Sequence, residues 1–90
     1  MAHTIREKPK LLARVRRLKG QMEAVERALE KEAPCGEVLQ LLASIRGALA
    51  GLTGEVMEGH LHEHVLHAEN DRQRAQAAEE LAEALRTYIR

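Results

Sequence analysis

The 90-residue sequence contains one aromatic side chain, Tyr88, one cysteine, Cys35, and two prolines, Pro9 and Pro34. Without Trp or Phe there is almost nothing to stack on unpaired bases. A lone cysteine excludes an intrachain disulfide framework and agrees with a reducing compartment. No run of about 18 uncharged apolar residues is present, and the opening MAHTIREKPK has no apolar stretch of a signal peptide. A cytoplasmic protein with no membrane partner is therefore expected. β-branched residues are sparse and no stretch alternates for long, which leaves an all-α fold. At about 100–200 residues per domain, residues 1–90 are read as one domain. Its 25 large apolar side chains and 14 alanines make a thin core. A chain this small buries only about 60% of its unfolded surface, so self-association is expected.

An excess of charge of either sign is also missing, since 14 Lys and Arg balance 14 Asp and Glu. The balance conceals an asymmetry. Residues 1–20 carry seven basic groups and one acid, Glu7, while residues 32–90 carry five basic and ten acidic groups.

Apolar residues at 11, 15, 18, 22, 25 and 29 form one stripe of a long helix. Thr4 with Glu7 offers a capping box, but Pro9 is the firmer marker, so the helix is expected to start between residues 5 and 9. It should end by Ala33-Pro34, because the residue before a proline is pushed out of helical geometry. A second stripe, at 38, 42, 45, 49, 52 and 56, predicts a helix from about Cys35 to about His67. Gly47, Gly51, Gly54 and Gly59 lie inside it, each at a cost of roughly 1 kcal/mol against Ala. Gly47, Gly51 and Gly54 are spaced to admit a close backbone neighbour. A break at Glu69-Asn70-Asp71 leads into a third, shorter helix with Leu81, Leu85 and Tyr88 on its apolar side.

Four of the five histidines lie between His60 and His67. On a regular helix His60, His64 and His67 share one face and His62 points away. Two imidazoles one turn apart can grip a single transition-metal ion such as Ni, Co, Cu or Zn. Cys35, at the start of the second helix, sits where the helix dipole favours thiolate, which suits a metal ligand or a thiol reactive toward electrophiles. The 25 residues between Cys35 and His60 span about 37 Å of helix, so the two cannot meet within one chain. In an antiparallel dimer they can. The first helix runs back along the second, bringing His3 near the histidine end of its own chain. The expected site therefore combines His3, His60 and His64 of one subunit with Cys35 of the other.

Lys8, Lys10, Arg14, Arg16, Arg17 and Lys19 form a basic band with no acid between residues 8 and 19. Such a band is the electrostatic footprint of a phosphate backbone, and without stacking aromatics double-stranded DNA is the expected partner.

The segments ARVRRLKGQMEAVERALE, PCGEVLQLLASIRGALAGL and GHLHEHV together resemble the CsoR/RcnR family of small all-helical bacterial repressors. The resemblance implies a three-helix chain that pairs as an antiparallel dimer, forming a four-helix bundle, and assembles as a homotetramer. It also implies operator DNA bound until an inducer fills a site shared between subunits. Copper sensors of the family carry Cys where this chain has His64. Formaldehyde sensors resemble it near Cys35 but have Pro at the second position and lack the last His, where this chain has Ala2 and His64. The match is best with the nickel and cobalt sensors, and it implies the set His3, Cys35, His60 and His64. The N-terminal amine and Glu63 are further ligands by the same resemblance, and His67 by its helical face. Copper- and formaldehyde-responsive repression are the competing readings, followed by a metal storage or chaperone module without a DNA role. An enzyme is not expected, because no nucleophile and base are paired locally and a thin helical chain has little means to build a concave pocket.

Overall fold

A computed structural model describes residues 3–89, and among them the regular elements are all helical. Contacts divide the chain into two compact units. One is Glu7–Thr53; the other joins the described residues before Glu7 to those from Gly54 onward.

The first unit is a helical hairpin. Helix α2, Lys8–Glu30, begins with Pro9 in its first turn, where a missing N–H costs nothing. The Leu11 amide closes that turn on the Glu7 carbonyl at 2.9 Å. Glu7 makes no side-chain cap, so the Thr4–Glu7 capping box does not form. Thr4 instead lies inside a separate short helix, α1, His3–Arg6. At the other end Ala33 N donates to Ala28 O (2.9 Å) and Glu32 N to Leu29 O (3.1 Å), the paired bonds of a Schellman ending. That ending needs a left-handed residue, and Glu32 supplies it at φ 56°. A side chain there costs roughly 1–2 kcal/mol, of which a glycine's extra chain entropy would take back a part. Glu32→Gly is therefore expected to stabilise the fold by about 0.5–1 kcal/mol, read by thermal unfolding at matched protein concentration.

Helix α3, Cys35–His60, starts on the Pro34 carbonyl, which accepts from Glu37 N at 2.9 Å. It returns antiparallel to α2: Gln21 Nε2 donates to Ser44 Oγ at 3.3 Å, and Arg14 Nη1 lies 3.3 Å from where a Cβ on Gly51 would stand. The hairpin covers only part of each apolar stripe. Val25 and Ala28 are buried, whereas Val15, Met22 and Leu29 on α2 and Leu39, Leu42 and Leu49 on α3 remain exposed. The glycines also depart from expectation. A Cβ on Gly47 or Gly54 would meet nothing within 4 Å in this chain, and the close approach falls at Gly59 instead.

In the second unit the helical path changes pitch. From Leu61 to Leu66 it is π-helical, and His67 N closes on His62 O at 3.2 Å. The α-helix expected to reach His67 thus ends at His60. Helix α4, Asp71–Ile89, is capped by Asn70, whose Oδ1 accepts from Gln73 N at 2.9 Å. Arg74 Nε donates to Val65 O at 3.0 Å, binding α4 to the π-helical turn.

The segment Cys35–Leu66 contains an 18-residue window of mean hydropathy 1.2, long and apolar enough by length and composition to cross a membrane. Glu37, Arg46, Glu55, Glu58 and Glu63 interrupt it, so it contains no long uncharged run.

Candidate metal centre

The π-helical turn decides which histidines meet. In an α-helix successive residues are spaced so that positions 60, 64 and 67 stack. The wider turn from Leu61 onward breaks that register, and the His67 ring comes to rest 4.8 Å from that of His62. His60 and His64 stay together, their ring centroids 5.2 Å apart. The third imidazole is His3, whose ring centroid lies 5.4 Å from that of His64. His3 is 5% exposed and is the one buried polar side chain among the described residues. Single π-helical turns inside helices recur at functional sites, where they re-aim side chains.

Ligand nitrogens of His3, His60 and His64 lie within 4.8 Å of one another. Two imidazole nitrogens at about 2.1 Å from one ion, at right angles, stand about 3 Å apart. A modest inward turn of the rings therefore suffices, and the donor set suits a transition metal. His60 is already oriented for the task. Its Nε2 lies 2.9 Å from the Ala77 carbonyl, which can only accept, so Nε2 donates and Nδ1 is the nitrogen left for a metal. Glu80 Oε1 stands 3.7 Å from the same Nε2.

Glu63 is turned to another purpose. Its Oε1 accepts from Arg6 Nη1 at 2.8 Å and its Oε2 from Arg6 Nη2 at 2.5 Å. The Arg6 guanidinium holds its carboxyl down to about 2. A carboxylate depressed in this way contributes stability above its ordinary value near 4.5, and the contribution is lost as pH falls toward 2. The pair is thus intact across the neutral range. To ligate a metal, Glu63 would have to leave Arg6. An open cleft of about 520 Å³ beside these residues is lined by His60, Glu63, His64, His67, Gln76 and Glu80, among others.

The remaining expected site residues lie elsewhere. Cys35 is exposed at the first position of α3, and His60 is the last residue of that helix. The N-terminal amine falls outside the described residues. Lys8, Lys10, Arg14, Arg16, Arg17 and Lys19 are all exposed along α2, though Arg14 leans over Gly51 rather than pointing wholly away from α3. Sequence reasoning missed the Ala77 carbonyl and the Arg6–Glu63 pair. Backbone acceptors leave no residue-type signal, and two charges 57 residues apart have no spacing that marks them as partners.

The profile of a family described as metal-sensitive transcriptional repressors matches residues 7–87. An uncharacterized protein in the bioA 5' region of Serratia marcescens is 52% identical over the full length of both chains. The transcriptional repressor RcnR of Citrobacter koseri is 42% identical, again over all of both chains. Among solved structures, a variant of the formaldehyde-responsive regulator FrmR from Salmonella enterica serovar Typhimurium superposes with a TM-score of 0.86 at 45% identity. The match covers 96% of this chain and 98% of that one.

Proposed function

The chain belongs to the family of metal-sensitive transcriptional repressors, which are not enzymes, and from that premise we propose that it represses genes of metal homeostasis in the cytoplasm and is released from operator DNA by Ni(II) or Co(II). The observation that carries this reading is the convergence of His3, His60 and His64. Three imidazoles fill half of an octahedral shell, and Ni(II) or Co(II), when bound, supplies the charge that draws further donors to the same point.

The chain's own residues do the rest. His60, at the end of α3 and oriented by the Ala77 carbonyl, and His64, on the π-helical turn, form one edge of the site, and His3 closes it from α1. Cys35 of a second copy is the fourth donor of the proposal, because about 37 Å of helix keeps a chain's own thiol from its histidine end. Glu63 and His67 are left out, the first paired with Arg6 and the second set beside His62. Lys8, Lys10, Arg14, Arg16, Arg17 and Lys19 face the phosphates of double-stranded DNA.

Oligomerisation follows from the uncovered stripe. Val15, Met22 and Leu29 recur at seven-residue steps, as do Leu42 and Leu49, and both series are exposed. Such seams are closed by another helix. A second copy fits them better than a bilayer, because α3 carries Arg46, and a charge of that kind at a membrane centre costs about 2.5–3.5 kcal/mol. We read the assembly as a tetramer built from antiparallel dimers, each chain contributing a single functional domain.

The reading is tested by titrating a complex with operator DNA in parallel with Ni(II), Co(II), Cu(I), Zn(II) and formaldehyde at fixed salt. Ni(II) and Co(II) are expected to lower DNA affinity about 5–150-fold, the usual range of such coupling, and by reciprocity DNA weakens metal binding by the same factor. Release by formaldehyde with modification of Cys35 would favour the second reading, for which the exposed thiol and the likeness to a formaldehyde-responsive regulator speak. No response to any metal would end the first.

A further inference from the structure

We infer that Gly59 and the Arg6–Glu63 ion pair are positioning elements that together seat His3 among the other two histidines: Gly59 is the notch that admits the imidazole, and the ion pair is the clasp that holds α1 over the π-helical turn. The inference rests on the reading of His3 as a metal ligand and adds what places it there.

Helix α1 has four residues, too few to be stable by itself, so its position is imposed by what it touches. Apolar burial does not impose it, since Ile5 is 59% exposed. Two contacts stand out. One is the two-pronged hydrogen bonding of Arg6 to both oxygens of Glu63, a fork geometry that fixes direction as well as distance. The other is the seat of the His3 ring.

A Cβ on Gly59 would stand 2.9 Å from His3 Cε1 and 3.0 Å from its Cγ, and closer still to Nδ1. Three atoms of a rigid ring cannot all yield by small adjustments, and the His64 ring occupies the space on another side. An alanine therefore expels the ring as a whole. No other helical glycine faces a ring in this way: Gly20, Gly36, Gly47 and Gly54 have nothing within 4 Å of the added carbon, and Gly51 meets the flexible end of the Arg14 side chain. Gly59 lowers the helical propensity of α3, and this seat is what the structure shows in return.

The test pairs a metal-free readout with a metal titration. In the metal-free protein, nuclear Overhauser contacts are expected between the His3 ring and the Gly59 α-protons. Arg6→Glu and Glu63→Arg are each expected to abolish them, and the double swap to restore them. Ala favours helix over Gly, so Gly59→Ala should fold, with Gly20→Ala as the matched control. Gly59→Ala is expected to weaken Ni(II) binding by the same factor as His3→Ala, more than about a hundredfold, and the double variant no further.

Losses that multiply in the double variant overturn the notch, because Gly59 would then act apart from His3. Contacts that persist in the single charge variants, or that the swap fails to restore, overturn the clasp. If His3→Ala leaves Ni(II) affinity unchanged, the ligand reading falls instead. The metal-free contacts and their response to the charge swap would still decide the seating.

Discussion

Replacing His60 by alanine is expected to weaken Ni(II) binding by more than about a hundredfold, measured by competition with a chelator of known affinity. Substitutions that disturb only the surroundings of a ligand cost roughly 10–100-fold, and loss of the ligand itself lies beyond that. His60 is the most constrained member of the proposed set. Its Nε2 proton is committed to the Ala77 carbonyl, so Nδ1 is the only nitrogen it can offer, and that nitrogen is already held in place. Two comparisons separate ligation from general damage. Glu80→Gln touches only the far nitrogen, at 3.7 Å, and should cost no more than about tenfold. His62→Ala removes a ring that lies against His67 and should leave Ni(II) affinity within a factor of two or so. Equal losses from His60→Ala and His62→Ala would mean that the cluster acts through bulk charge, and the proposed site would be abandoned.

Operator binding is expected to be steeply salt-dependent. Each phosphate neutralised contributes about −0.9 to the slope of log affinity against log salt, so six contacts from one chain give roughly −5. Between 50 and 200 mM salt, proteins with 6–10 phosphate contacts lose about 10³–10⁵ in affinity. Arg17→Ala should flatten the slope by about one for each chain on the DNA and weaken binding to operator and unrelated duplexes alike, the signature of a phosphate contact. Arg14→Ala is expected to do more than its charge predicts, because Arg14 also lies over Gly51 between the two helices of the hairpin. A slope near zero would remove the basic band from the DNA interface.

Much of the fold is local and was therefore legible. The stripes at 11–29 and 38–56 predict the long helices observed at Lys8–Glu30 and Cys35–His60, and the third helix begins at Asp71 where the break was expected. Pro9 and Pro34 mark their boundaries by chemistry that needs no tertiary context. What was misread depends on context. Thr4 reads as a cap, yet it lies within α1, whose last residue, Arg6, pairs with Glu63. The left-handed residue at the α2 terminus is Glu32, where a glycine would have announced it. Nothing in LHEHVL marks a π-helical turn. Val65 O, without an intrahelical partner so near the end of the turn, accepts from the Arg74 guanidinium, a contact made by α4.

The sequence by itself determined that this chain is all helical, where two of its long helices break, that one end is basic and that imidazoles gather near residue 60. These follow from periodicity, proline chemistry and composition, which act between near neighbours. Only the tertiary structure decided where His67 goes. Helical spacing put His67 on the face of His60 and His64, but the change of pitch after His60 carried it to His62, whereas His3 was expected beside His60 and His64 and their ligand nitrogens lie within 4.8 Å of one another. The physical reason is that a donor set is a matter of angles and distances between segments. A single widened turn and a single missing Cβ at Gly59 change those angles and distances without altering any pattern that residue spacing can record.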